Sequence, residues 1–354
     1  MIKSDMSNEK TNPNVLSNLS QVENKRIQKY QPKLEGYGGR QVVFSFPDHP
    51  NIVGKVEMKP LLQAVEVAVT GGDEAELRAQ FESDKRDREQ QLAVLQNYFG
   101  SEHVLKQTFS VIKIPVNADI LASVQKIIGD GSERVSQLQS FEGEYVWSSI
   151  SFQEKADVVH NPSKITLTAG LAELRPVVTP MYQSAYDRVT RASLYNLNEQ
   201  GTVQVADLEK IHPFLSKLLE SIKNDEELRT VVAEFVTRAI KYTNETGTIV
   251  DIIGQDNVVF FRDESNAWDY KLIDALYDQP ISAVSNSITR IAEQEQVTLS
   301  LAEDASLRNT LNSIRVINAL ANILNISARI TALPTALSTI EPATLMTAII
   351  TSAY

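Results

Sequence analysis

Between Gly71-Gly72 and Gly100 the chain carries one long helical pattern, and strand-like runs lie on both sides of it. Asp73 stands where a helix cap is expected. Leu77, Phe81, Arg88, Leu92, Leu95 and Phe99 then recur at three-, four- or seven-residue steps among mostly charged residues, and Gly100 stops the pattern. Upstream, the runs at 41–46 and 51–57 flank the turn Pro47-Asp48-His49-Pro50, which reads as a hairpin or meander. A third apolar run at 61–69 is counted with these strand signals. Downstream, 104–116 and 144–159 read as strands. One amphipathic helix set among strands constrains the first part of the chain to a mixed α and β arrangement.

Within this first part, residues 117–142 hold a short helical segment and the turn Gly129-Asp130-Gly131, and they look like an insertion. The second part reads differently. Beyond about residue 160 the pattern becomes helical, over roughly 181–198, 204–223 and 225–244. The last of these has Leu228, Val231, Val232, Phe235, Val236, Ala239 and Ile240 on one face and Gly247 as its stop. A β excursion follows at 248–250, 257–261 and 268–273. Residues 280–330 return to helix, and 331–354 form a Pro-interrupted apolar tail with room for a last helix. The expected organisation is therefore α+β. A disordered tail at 1–31 precedes a β-rich part at 32–155 and a helical part at 156–354 with a small β insert at 248–274.

The chain has 354 residues, enough for two domains. Its formal net charge is -11, which argues against binding bulk nucleic acid or an anionic membrane, because polyanions are held by clustered Lys and Arg. With no cysteine there is no disulfide, cysteine nucleophile or thiolate metal site, and four His leave little for a histidine-rich centre. Residues 1–31 are polar, without the apolar core of a signal peptide. No stretch approaches the roughly 18 uninterrupted apolar residues of a membrane helix. A cytoplasmic protein is the expectation.

The chemistry concentrates in 248–274. Asp251 and Asn257 flank a tight loop containing Gly254, a two-strand hairpin follows, and Asp274 ends it in Leu272-Ile273-Asp274. Phosphoryl transfer needs this set: one carboxylate to orient the attacking hydroxyl, and an amide oxygen with a second carboxylate to hold magnesium on the phosphates. Asp251 lies within Ile249-Val250 and Ile252-Ile253, and an acid among apolar neighbours needs a partner or a metal.

In these residues the chain resembles divergent bacterial members of the protein-kinase-like superfamily, in order and spacing over about residues 34–330. The resemblance implies a two-lobed fold with a small β-rich lobe and a larger helical lobe. It implies ATP and Mg2+ as cofactors and a small-molecule or protein hydroxyl acceptor. Asp251 falls at the catalytic-loop Asp, and Asn257 and Asp274 at the metal-binding Asn and Asp. Gly36, Gly38 and Gly39 resemble a phosphate-covering loop. Lys55, in Val53-Gly54-Lys55-Val56, looks like the third-strand lysine that contacts the phosphates, with Glu89 as its ion-pair partner. Phe152-Gln153-Glu154-Lys155 resembles the hinge, with Gln153 and Glu154 offering backbone groups to the adenine edge.

The pattern also departs from that family. Asp251 to Asn257 is six positions where the H-R-D-L-x-x-x-N loop has five, no His-Arg precedes Asp251, and Ala275-Leu276 follows Asp274 in place of Phe-Gly. The glycine segment lacks the full G-x-G-x-x-G spacing. Asp256 competes with Asp251, and Glu76 and Glu82 with Glu89. Lys55 also reads as an ordinary strand lysine, Glu89 as part of a solvated charge run with Lys85, and the 251–257 segment as a polar turn. Three functions follow: a kinase-like phosphotransferase, a non-catalytic pseudokinase that binds or regulates, and a structural or assembly protein.

Overall fold

The computed structural model describes residues 33–37, 41–128, 133–169, 215–254, 256–276, 281–282 and 301–331. The architecture is α+β. The chain separates into two compact units, one formed by Met1–Ala93 with Leu105–Ala156 and the other by Val94–Val104 with Asp157–Tyr354. The expected tail at 1–31, the Gly129-Asp130-Gly131 turn, the helix at 181–198 and the C-terminal tail beyond Thr331 lie outside the described residues.

The first unit is built on a five-stranded antiparallel sheet. Its strands are β1 (Lys33–Tyr37), β2 (Gln41–Phe46), β3 (His49–Glu57), β4 (Gln107–Pro115) and β5 (Tyr145–Glu154), in the spatial order β1-β2-β3-β5-β4. Alternation along the strands sorts the two faces. Val42, Phe44 and Phe46 of β2 share one face with Ile52 and Val56 of β3, Ile112 and Ile114 of β4, and Ile150 and Phe152 of β5, and all are buried in one apolar cluster. Gly54 sits opposite Phe44 and Phe152 on that face. A Cβ there would come within 2.9 Å of the Phe46 ring, so the missing side chain lets the Phe46 and Phe152 rings pack at 5.9 Å.

Four helices belong to this part of the chain: α1 (Met58–Thr70), α2 (Glu74–Phe99), α3 (Ala118–Ile128) and α4 (Glu133–Gln139). Helix α1 corrects the expectation of a strand at 61–69. Its Val-rich composition suggests β, yet Leu61, Ala64 and Val65 follow helical spacing and are buried together. Gly71, with φ 69° in the left-handed region, ends it through a hydrogen bond from its N–H to the Val67 carbonyl. Helix α2 is the long element read from the sequence, and its Leu77 and Phe81 enter the apolar cluster. Its charged side engages the sheet: Arg88 pairs with Glu57, Lys113 Nζ lies 3.3 Å from Glu74, and Arg78 stacks over Trp147 at 4.7 Å.

The second unit holds α5 (Leu215–Asn224), α6 (Glu226–Thr246), α7 (Leu301–Ile323), a 3-10 turn at Asp157–His160, and a three-stranded antiparallel sheet in the order β6-β7-β8. The strands are β6 (Ile165–Leu167), β7 (Val258–Arg262) and β8 (Trp268–Leu272). Strand β6 departs from the helical pattern expected beyond residue 160. The aromatic core gathers the end of α2 with α6 and the sheet. Phe99 packs on Phe235 at 5.8 Å, and Phe235 meets Phe260 and Tyr270 edge-on at 5.8 and 5.6 Å. Burial pushes the Tyr242 hydroxyl up to about 12, and burial raises Tyr270 as well. No helix among the described residues is long and apolar enough to cross a membrane.

Candidate functional site

The Asp251–Asn257 loop is delivered by α6. Gly247, with φ 68°, closes that helix through its N–H on the Thr243 carbonyl. Ile249, Val250 and Ile252 then bury themselves at 2%, 4% and 0% exposure, while Asp251 between them remains partly exposed. Apolar anchors on both sides therefore fix the backbone and leave the carboxylate at the surface of the core.

Two backbone hydrogen bonds then bring the three expected site residues together. The Asp251 N–H donates to the Ala275 carbonyl at 3.0 Å, and the Ile273 N–H donates to the Asn257 carbonyl at 2.8 Å. Ile273 and Ala275 are the neighbours of Asp274, so Asp251 lies beside one flank of Asp274 and Asn257 beside the other. The β7–β8 hairpin makes this possible. Val258 pairs with Leu272, so the strand that leaves Asn257 returns at Asp274. The hairpin turn is closed by Asp263, whose Oδ1 accepts from the Ser265 hydroxyl and the Ser265 and Ala267 N–H groups. Those bonds, the Ser265 hydroxyl first, hold the Asp263 carboxyl below the ordinary value.

Side chains refine the loop. Asp251 Oδ1 accepts the Ile253 N–H at 2.8 Å, which closes a short Asx turn. Asn257 is 8% exposed, and a Cβ on Gly254 would fall 2.5 Å from its Oδ1. Glycine at 254 is what lets the Asn257 amide lie against the backbone. Asp256, the alternative to Asp251, has both oxygens engaged by Lys164 Nζ at 3.1 and 3.0 Å, and its Oδ1 also accepts the Thr166 hydroxyl at 2.6 Å. Asp256 is thereby tied to the strand that carries Lys164 and Thr166.

The hairpin is tied to α6 by a second cluster. Asp225 caps α6 by accepting the Leu228 N–H at 3.0 Å. Its Oδ2 also accepts Trp268 Nε1 at 2.7 Å and Arg262 Nη2 at 2.8 Å, and the Arg262 guanidinium lies over the Trp268 ring. The Leu228 bond first, then the Trp268 and Arg262 contacts, lower the Asp225 carboxyl against the opposing push of burial. Next to Trp268 along β8, His103 stacks on Tyr270 at 4.0 Å, and its Nδ1 lies 3.2 Å from Asp269 Oδ1. Burial alone would raise Asp269, but the His103 and Tyr270 N–H bonds prevail and lower it.

In the first unit, Lys55 is 8% exposed on β3, opposite Val43 and Ser151. Ser151 is 2% exposed and Gln153 1%, and both stand on the Lys55 face of the sheet. The expected roles of Glu154 and Glu89 are narrowed. The Glu154 N–H donates to the Lys106 carbonyl and the Lys155 N–H to the Asn51 carbonyl, so neither donor is offered to an adenine. Glu89 pairs with Lys85 at 3.9 Å on α2, with its side chain 49% exposed. That is the solvated helix pair the charge run suggested, whereas Lys55 is buried. Gly36 lies in β1 where the pairing with β2 is irregular, and nothing stands within 4 Å of where its Cβ would be. Gly38 and Gly39 lie outside the described residues.

Asn257 and Asp274 offer an amide and a carboxylate, oxygen donors of the kind a hard cation takes. Among the described residues no group of three or more His, Asp or Glu side chains is arranged to hold a metal ion. The residues that sequence reasoning missed are Lys164, Thr166 and Thr168. Their signal was present, since Lys164-Ile165-Thr166-Leu167-Thr168 alternates polar and apolar with the period of a strand. Comparison with family models, with curated proteins and with solved structures returned no match.

Proposed function

We propose that this chain is an ATP-dependent phosphotransferase of the kinase-like type, acting on a hydroxyl acceptor. The observation that carries the proposal is the pair of backbone bonds that sets Asp251 and Asn257 on either side of Asp274. The order β1-β2-β3-β5-β4, with the long α2 between β3 and β4, supports the two-lobed kinase-like fold that such chemistry uses.

Each residue then has a role that its chemistry suits. Lys55 holds the nucleotide phosphates. Asn257 and Asp274 would hold Mg2+, whose bound charge would offset that of the phosphates. Asp251 orients the acceptor hydroxyl and accepts its proton as the new O–P bond forms. The bond between the γ-phosphorus and the β,γ-bridging oxygen breaks, and ADP leaves. Little covalent work falls to the protein, so rate comes from holding these groups in place.

A second reading, a pseudokinase that binds nucleotide without transfer, is favoured by two observations. Glu89 pairs with Lys85, and Asp251 Oδ1 is engaged by the Ile253 N–H. Incubation with γ-labelled ATP, Mg2+ and generic protein and polyol acceptors separates the two. The phosphotransferase reading expects labelled chain or acceptor, lost in Asp251→Ala while ATP binding persists. Binding without label in the wild-type chain leaves the pseudokinase, and no binding sinks both.

A further inference from the structure

Lys164, Thr166 and Thr168 occupy alternate positions along β6 and its two ends, and all three reach the Asp251–Asn257 loop about ninety positions later. Lys164 Nζ grips both oxygens of Asp256, the Thr166 hydroxyl donates to Asp256 Oδ1, and the Thr168 hydroxyl donates to the Ile253 carbonyl at 3.1 Å. The Ala169 N–H extends the row by donating to the Ile252 carbonyl at 2.7 Å. The strand itself is held by the pairing of Ile165, Thr166 and Leu167 with Phe260, Val259 and Val258, and Lys217 Nζ fixes the Lys164 carbonyl at 2.9 Å.

The point of attachment matters. Asp256 has φ 63°, in the left-handed region that a residue with a side chain enters at a cost. It is the residue immediately before Asn257. A backbone held there sets the direction in which the Asn257 amide leaves the loop. Lys164 is partly buried, with its side chain 25% exposed and that of Asp256 19%. A charged pair at that depth, joined by a hydroxyl donor, is stronger and better directed than a surface pair.

We infer that Lys164 and Thr166 are positioning residues: through Asp256 they hold Asn257 and Asp251 in the orientation the site requires. The bracing stands on hydrogen bonds in the second unit alone. Its consequence for metal and nucleotide rests on the phosphotransferase reading above. Supporting contacts around metal ligands carry effects of about 10–100-fold in metal affinity when removed.

The test uses the full chain with Lys164→Met, Thr166→Val and the conservative Lys164→Arg. Hydrogen exchange is read first, at a temperature where every variant is folded. Lys164→Met speeds exchange at the Ile253 and Ile273 amides, whose bonds fix Asp251 and Asn257, more than at Phe260 inside β7. Lys164→Arg restores protection. Equal exchange at all three amides, or none changed, overturns the bracing. Should Lys164→Met not fold, Thr166→Val is read in its place with the same two outcomes. Titration with ATP is read second, with Mg2+ and with chelator. Lys164→Met lowers the Mg2+-dependent part of the affinity about 10–100-fold and leaves the chelator value unchanged. Loosened amides with an unchanged Mg2+ effect overturn the positioning role. Loosened amides in a chain whose wild type shows no Mg2+ effect uphold the bracing and reject the phosphotransferase reading instead.

Discussion

The two units of this chain hold their own elements together in different ways. In the first, a five-stranded sheet buries one apolar face in a single cluster running from Val42 to Phe152, and the pairs Lys85–Glu89 and Lys113–Glu74 remain partly exposed. In the second, the three-stranded sheet is short, and hydrogen bonds between residues far apart in sequence fix it. Asp225 reaches Trp268 and Arg262, Asn161 reaches the Arg262 carbonyl, and Lys164 reaches Asp256. Apolar packing resists loss of volume but is indifferent to direction. Directed polar bonds fix a loop's orientation, and they fail singly when one partner is removed.

The largest effect that could break this contrast is Phe81→Ala in α2. Phe81 is fully buried in the first unit's cluster, and its removal costs about 3–5 kcal/mol, read by denaturant unfolding. A loss below about 1 kcal/mol would show that the packing is not what holds this unit. Next is Asp225→Ala, which removes the α6 cap and costs about 0.5–2 kcal/mol. Its distinguishing sign is faster hydrogen exchange in β7 and β8 with β4 and β5 unchanged.

Acid sharpens the same comparison. Asp225, Asp263 and Asp269 titrate lower in the folded chain than their ordinary 3.8. Each adds stability that is complete above that value and is lost as pH falls through the folded one. Asp84 in the first unit is raised instead, by burial first and then by Asp87. It disfavours folding while ionised, and that penalty disappears as it takes its proton. Protection factors, corrected for the intrinsic slowing of exchange in acid, therefore fall first in the β7–β8 hairpin and later around α2 as pH drops below about 5. The reverse order would contradict the assignment of these carboxylates. The smallest effect is Lys85→Ala, which breaks an exposed pair with Glu89 and costs about 0.3–0.5 kcal/mol. Glu89→Ala should cost as little and leave nucleotide binding unchanged, and a larger loss with weaker nucleotide binding in that variant would restore Glu89 to the Lys55 role expected from the sequence.

What could be read from the sequence was what local pattern encodes. Helices α2 and α6 announce themselves through apolar periodicity and glycine stops, and the β7–β8 hairpin through alternation around a polar turn. Asp251 draws attention because an acid among isoleucines is conspicuous, and Asn257 and Asp274 because of their order and spacing around the hairpin. Helix α1 was misread because Val65, Val67 and Val69 favour strands, while burial of Leu61, Ala64 and Val65 on one face decides for helix. Strand β6 escaped because the five-residue alternation from Lys164 to Thr168 is too short to outweigh a helical neighbourhood. The Lys164–Asp256 bond had no local trace, since a pairing across ninety-two positions exists only after the sheet forms.

Thermal unfolding in the presence of ATP, with Mg2+ and with chelator, tests the site most directly when wild type is compared with Asp274→Ala. The proposal predicts that ATP with Mg2+ raises the wild-type midpoint more than ATP with chelator, and that Asp274→Ala abolishes the difference. A wild-type midpoint unmoved by ATP under either condition, or a Mg2+ effect that persists in Asp274→Ala, would contradict it.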